Sequence, residues 1–138
     1  MTLLKIRNIE TYYGPIMAIK GVSLDIEEGS IVTILGANGA GKTTILKTIS
    51  GVMEPLKGTI EFNGARIDKL LPSKIVEMGI SQVPEGREVF PDLTVRENLM
   101  MGSYLRSDKN GIKQDLETIY NYFPILQDRP NQLAGNLS

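Results

Sequence analysis

The chain has 138 residues, with 15 Lys+Arg against 16 Asp+Glu, 41% hydrophobic residues, and no cysteine, histidine or tryptophan. The apolar content suffices for a core, while the zeros exclude disulfides, thiolate nucleophiles, zinc–sulfur sites and any imidazole acid or base. The near balance of charge argues against a polyanion-binding surface, so no nucleic-acid partner is expected, but it leaves room for a local phosphate site.

In chain order, Leu3–Arg7 and Val22–Ile26 alternate as half-buried strands do, with Tyr13-Gly14-Pro15 as a turn between them. Met1 to Glu10 carries Lys5, Arg7 and Glu10, unlike a secretory leader. Ile31–Leu35 is a continuous β-branched run of the kind that suits a strand covered on both faces. The longest apolar stretch, Ile31–Ala37, is interrupted by Thr33 and Gly36 and is far shorter than the roughly 20 residues of a membrane helix. A helix is predicted from Gly41 to Ser50, with Ile45, Leu46 and Ile49 on its apolar face and Gly51 ending it. A strand follows over Gly58–Phe62, closed by the turn dipeptide Asn63-Gly64. Pro72 and Gly79 bracket a short helix over Ser73–Met78, and Ile80–Val83 reads as a brief strand.

The character changes near residue 88. Thr94-Val95-Arg96-Glu97 has the hydroxyl and carboxylate spacing of a capping box and predicts a helix to about Arg106. Gly111 is read as the separator before a second helix, whose face is Ile112, Leu116, Ile119, Tyr120 and Phe123 and which Pro124 ends. The expected organisation is an α/β part over residues 1–87 and a helical part over 88–138.

One segment carries chemistry. Gly36-Ala37-Asn38-Gly39-Ala40-Gly41-Lys42-Thr43-Thr44 matches the phosphate-binding loop G-x-x-x-x-G-K-[ST] in full, between a predicted apolar strand and a predicted helix. Its glycines let the backbone wrap a phosphate, N–H groups from Gly39 to Thr44 form an anion nest, and the helix start adds its positive end. Lys42 is placed to meet the β/γ-phosphate oxygens, Thr43 to offer its hydroxyl to Mg²⁺, and Thr44 to reach the α-phosphate. A dinucleotide-binding loop has the order G-x-G-x-x-G; this chain has G-x-x-G-x-G followed by Lys42-Thr43. Glu61 stands about where that motif's ribose-binding acid could be, so Lys42-Thr43 decides for a nucleoside triphosphate.

With these residues the sequence resembles the ABC-type ATPases, the motor subunits of membrane transporters. Tyr13, ahead of the loop, resembles the family's adenine-stacking aromatic, and Gln82 resembles its glutamine that reaches Mg²⁺ and the attacking water. Gln82-Val83-Pro84-Glu85-Gly86-Arg87 and Phe90-Pro91-Asp92-Leu93-Thr94-Val95-Arg96-Glu97-Asn98-Leu99 are similar to the branched-chain (hydrophobic) amino acid uptake subfamily. The resemblance implies an α/β P-loop NTPase (ABC ATPase) fold, represented by its N-terminal portion, with an antiparallel β part and the start of the helical subdomain. It implies Lys42 and Gln82 as catalytic residues. Tyr13, Gly36, Asn38, Gly39, Ala40, Gly41, Lys42, Thr43 and Thr44 are implied as the ATP site, with Thr43 and Gln82 on Mg²⁺. It further implies a second ATP-binding subunit, identical or paralogous, and permease subunits contacted near Gln82–Leu99. The place implied is peripheral, at the cytoplasmic face of the cell membrane.

Leu133–Ser138 is similar to the approach to the signature L-S-G-G-Q, with Leu137 and Ser138 as its first residues. No apolar run in the chain ends in Asp-Glu, as the Walker B strand would, and no switch histidine is present. The expectation is that these residues alone are inactive as an ATPase. In such a sheet the strands at 31–35 and 80–83 are not neighbours, so both are expected to have unpaired edges and exposed apolar faces.

Overall fold

The structure is a computed structural model describing residues 1–137, and it divides into two compact units, Met1–Gln82 and Val83 onward. Ser138, the expected signature serine, lies outside the described residues.

The first unit is built on a four-stranded antiparallel sheet. Its strands are β1 (Thr2–Tyr13), β2 (Ile16–Glu27), β3 (Lys57–Phe62) and β4 (Ala65–Arg66), in the order β2-β1-β3-β4. Two helices accompany it, α1 (Lys42–Ile49) and α2 (Pro72–Glu77). β1 and β2 are each 12 residues long, well beyond the expected stretches. The reason lies at Asn8, which has φ of +50° where the register slips between Ile6 and Ile9. Such a bulge shifts the alternation by one residue. Leu4 and Ile6 are buried before it, and Ile9 and Thr11 after it. Gly58 of β3 tolerates this kink because a Cβ there would drive into the Arg7 and Asn8 carbonyls.

The β3–β4 turn forms at Asn63-Gly64, with φ of +49° and +79°, the left-handed pair that a type I′ hairpin requires. The core of this unit is largely isoleucine: Ile6, Ile9, Ile60, Ile67 and Ile75 are essentially inaccessible, with Ile19, Ile45 and Ile49 packed among them. Asp68 is buried beside them. It accepts from Ile60 N (3.1 Å) and from the Arg66 guanidinium (2.6 and 2.9 Å), which together hold its carboxyl below the usual range.

Two expected strands are corrected. Residues 31–35 and 80–83 are not strands, and no strand pairs with either among the described residues. A segment with no neighbouring strand has no ladder partners for its backbone groups, so it gains nothing from a regular strand conformation. Ile31 and Val83 are 97% and 91% exposed, apolar side chains with no cover here.

The second unit holds α3 (Val95–Met101), α4 (Lys109–Tyr122) and α5 (Pro124–Asp128). The capping box at α3 is formed as expected. Glu97 N donates to Thr94 Oγ1 (3.2 Å) and Thr94 N to Glu97 Oε2 (2.8 Å). α3 ends at Gly102, earlier than the expected Arg106. Gly111 is also corrected: it lies inside α4 and does not precede it. Arg106 grips Asp108 (2.9 and 2.6 Å) and also pairs with Asp115. A Cβ on Gly111 would collide with the Asp108 carboxylate and the Arg106 guanidinium. The glycine thus makes room for an ion-pair cluster. Pro124 ends α4 and also opens α5, as the first-turn position allows.

Candidate functional site

The segment from Gly36 to Thr44 follows residues 31–35, which form no strand, and runs into α1. Gly39 and Gly41 have φ of +84° and +97°, a backbone that glycine enters without a steric penalty. They do so in different surroundings. A Cβ on Gly39 would meet nothing within 4 Å, whereas one on Gly41 would lie 2.7 Å from the Ala18 carbonyl oxygen. Gly41 is therefore the point at which the start of α1 is seated directly on β2. Gly36 is also close-packed, since a Cβ there would approach that of Ala40 to 3.2 Å. Ala40 N donates to Ala37 O (3.1 Å), which closes a turn and leaves Asn38 and Gly39 exposed at its crown.

Lys42 is the first residue of α1. Its ammonium folds back into the loop, donating to the carbonyl oxygens of Gly36 and Ala37, the latter at 3.0 Å. No side chain caps α1, and no acidic residue stands in its first turn. The unsatisfied N–H groups of a helix start therefore sit beside a lysine ammonium with no carboxylate to neutralise them. That donor set fits a phosphate. Thr43 next to it is exposed, while Thr44 is buried. Among the described residues no cluster of three or more carboxylates could cage a metal. A divalent ion at this loop would be held by the Thr43 hydroxyl together with phosphate oxygens.

The structure brings Gly36, Asn38, Gly39, Ala40, Gly41, Lys42, Thr43 and Thr44 together. Tyr13, 47% exposed, is paired with Ile16 at the tip of the β1–β2 hairpin. Ala18, the seat of Gly41, follows shortly along β2, so Tyr13 stands at the loop's end of the sheet. Gln82 does not join them. Its Oε1 accepts from Ser50 Oγ at 2.7 Å, and Ser50 caps the far end of α1. The helix separates the two ends by about 12 Å.

No motif in the sequence singles out Thr11 and Thr48, which lie behind the loop. Thr48 Oγ1 donates to Thr44 O at 2.7 Å and lies 3.2 Å from Thr11 Oγ1, all within buried surroundings. The available signal was the Thr44/Thr48 spacing of one helical turn facing a threonine in a strand of apolar residues. Asn98, which the sequence marks only as part of a motif, has a structural task as well. Its amide accepts from Phe90 N (2.9 Å) and donates to Phe90 O and Thr94 O (both 3.0 Å), fixing the loop before α3.

The sequence profile of the ABC transporter family matches residues 19–138. Over 136 residues the chain is 41% identical to the high-affinity branched-chain amino acid transport ATP-binding protein BraG of Pseudomonas aeruginosa, covering 99% of this chain and 58% of that protein. It is 40% identical over 100 residues to the D-allose import ATP-binding protein AlsA of Escherichia coli, covering 72% of this chain and 20% of that protein. A solved ATP binding subunit of an ABC transporter superposes with a TM-score of 0.85 at 27% identity, over 99% of this chain and 56% of that one. The chain thus spans little more than half the length of BraG and of the solved subunit. The loop that holds its own lysine, the antiparallel sheet that seats it and the capped helix beyond residue 88 all fall within these matches. The chain belongs to the ABC transporter family, and its fold is the N-terminal portion of the P-loop ATPase of that family.

Proposed function

We propose that this chain is the ATP-holding part of an importer's motor subunit, one that couples ATP binding and hydrolysis to uptake of branched-chain amino acids. The observation that carries the reading is the uncapped start of α1 with Lys42 folded into a glycine-built loop. On binding, Lys42 would leave two neutral carbonyls for charged phosphate oxygens, and charge-assisted hydrogen bonds are about twice as strong. N–H groups from Gly39 to Thr44 would hold the same phosphates, Thr43 would turn its hydroxyl to Mg²⁺, and the Tyr13 ring would offer a face to adenine. Mg²⁺, when bound, neutralises charge on the β/γ oxygens. Gln82 would have to exchange Ser50 for the attacking water, an orienting role that an amide performs without titrating.

The solute rests on the 41% identity with BraG and on the wording of residues 82–99. A relative named for D-allose import at 40% identity shows how little of a solute's identity a motor subunit encodes. The same reading supplies a second ATP-binding subunit and permease subunits as partners, the latter contacted near Gln82–Leu99. It places the chain peripherally at the cytoplasmic face of the membrane. No described helix is long and apolar enough to cross a membrane.

A second reading, nucleotide binding without turnover, is favoured by the lack of an apolar run ending in Asp-Glu within these 138 residues. Phosphate release measured with ATP and Mg²⁺ separates the two. Steady release by the whole motor subunit that Lys42→Ala abolishes supports the first reading; saturable binding by the whole subunit with no release supports the second. Failure to take up ATP refutes both.

A further inference from the structure

We infer that Thr11 and Thr48 are positioning residues for the phosphate loop: a buried hydroxyl relay from β1 fixes the first turn of α1, which presents Thr44 and the N–H groups of the nest. The inference rests on the proposed nucleotide site and deepens it.

The direction of the relay follows from counting protons. A threonine hydroxyl has one hydrogen to donate and two lone pairs. Thr48 donates its hydrogen to Thr44 O at 2.7 Å. The 3.2 Å contact with Thr11 must then have Thr11 as donor and Thr48 as acceptor. The order is Thr11 O–H to Thr48 O–H to the Thr44 carbonyl. Back-bonding of a helical threonine to the preceding turn is common. What is unusual is its extension into a strand: Thr11 is 0% and Thr48 2% exposed, and Thr11 stands at an inward position of β1 among isoleucines. Among the hydrogen bonds of the described residues the Thr11 hydroxyl meets Thr48, in the last turn of α1, which passes the contact back one turn to the Thr44 carbonyl.

Two seats therefore hold this helix on the sheet, one at each end. One is steric, Gly41 against Ala18; the other is polar, Thr11 through Thr48 to Thr44. A nest whose N–H groups are held in place before binding loses less on binding, so loosening the polar seat should appear as weaker nucleotide affinity.

The test uses Thr11→Val, Thr48→Val, the double variant and Thr48→Ser, each followed by urea unfolding and by titration with Mg·ATP. Thr48→Val leaves the buried Thr11 hydroxyl without an acceptor, while Thr11→Val spares the bond from Thr48 to Thr44. A buried group stranded without a partner costs more than replacing both partners by apolar isosteres. The urea midpoint is therefore expected lowest for Thr48→Val, with the double variant partly or fully recovered. The double variant, though recovered in stability, should bind Mg·ATP more weakly by roughly three- to tenfold, the weight of one ordinary hydrogen bond, and Thr48→Ser should restore affinity. Parental affinity in a stable double variant overturns the positioning role. A Thr11→Val midpoint as low as that of Thr48→Val overturns the relay's direction. If the parent chain takes up no nucleotide, the functional reading fails, and with it the positioning role; the order of urea midpoints still decides whether the relay exists.

Discussion

Replacing Gly41 by alanine tests how the phosphate loop is joined to the sheet, with Gly39→Ala as the internal control. Both glycines have left-handed backbones, at φ +97° and +84°. An L side chain in that region costs about 1–2 kcal/mol. At Gly39 the cost ends there, because a Cβ meets nothing within 4 Å. At Gly41 the new methyl lies 2.7 Å from the Ala18 carbonyl oxygen, a backbone atom of a paired strand that cannot rotate aside. The helix start must lift from β2, and overpacking of this kind adds about 1–3 kcal/mol. Gly41→Ala should therefore lose about 2–5 kcal/mol against about 1–2 for Gly39→Ala. Urea unfolding followed by far-ultraviolet circular dichroism reads both. Titration with Mg·ATP should show the larger loss for Gly41→Ala, since lifting the helix start displaces Lys42 and the nest together. Equal midpoints and equal affinities for the two variants would refute the reasoning, because only the contact with Ala18 distinguishes them.

Other perturbations probe the surrounding frame. Asp68→Ala strands the Ile60 N–H and should lose about 1–3 kcal/mol in urea unfolding at neutral pH. Asp68 has a folded pKa held below its unfolded value, chiefly by Arg66. Its contribution is thus present above the unfolded value, near about 4, and disappears as pH falls through the lower folded value. Midpoints measured from pH 7 down to pH 2.5 should fall below about pH 4, and Asp68→Ala should flatten that fall. Thr94→Ala removes the α3 cap and should lower stability of the second unit by about 1 kcal/mol, read by hydrogen exchange of the first turn of α3. Gly111→Ala should leave the urea midpoint nearly unchanged, because alanine's gain of about 1 kcal/mol over glycine in a helix is offset only by displacing the free ends of the exposed Asp108 and Arg106 side chains, a surface pair of at most comparable worth. A clearly lowered midpoint would show that the pair cannot swing aside.

What was legible in the sequence was mostly local chemistry. Asn63-Gly64, the Thr94/Glu97 box and the run from Gly36 to Thr44 each name their geometry through residue type and spacing, and each forms as a short-range unit. The length of β1 and β2 was not legible, since the Asn8 bulge moves the inward positions from Leu4 and Ile6 to Ile9 and Thr11 and breaks the alternation that marks a strand. Gly111 misled for a related reason: a glycine inside a helix reads as a break, and only the long-range partners Arg106 and Asp108 explain it. Residues 31–35 have the composition of a buried parallel strand, but composition does not supply a neighbour to pair with. At the site, the loop could be read from its order of residues, whereas the seat on Ala18 and the Thr11–Thr48–Thr44 relay are contacts across the fold. The placement of Gln82 beside Ser50 is of the same kind.

The claim on which the rest depends is that Lys42 and the uncapped start of α1 form a site for a nucleoside triphosphate. Calorimetric titration of the chain with Mg·ATP, repeated with Lys42→Ala and with inorganic phosphate as competitor, tests it most directly. Saturable binding near one nucleotide per chain, strongly weakened in Lys42→Ala, is expected. Binding of equal strength in the parent and in Lys42→Ala, or no binding by a folded parent chain, would contradict it.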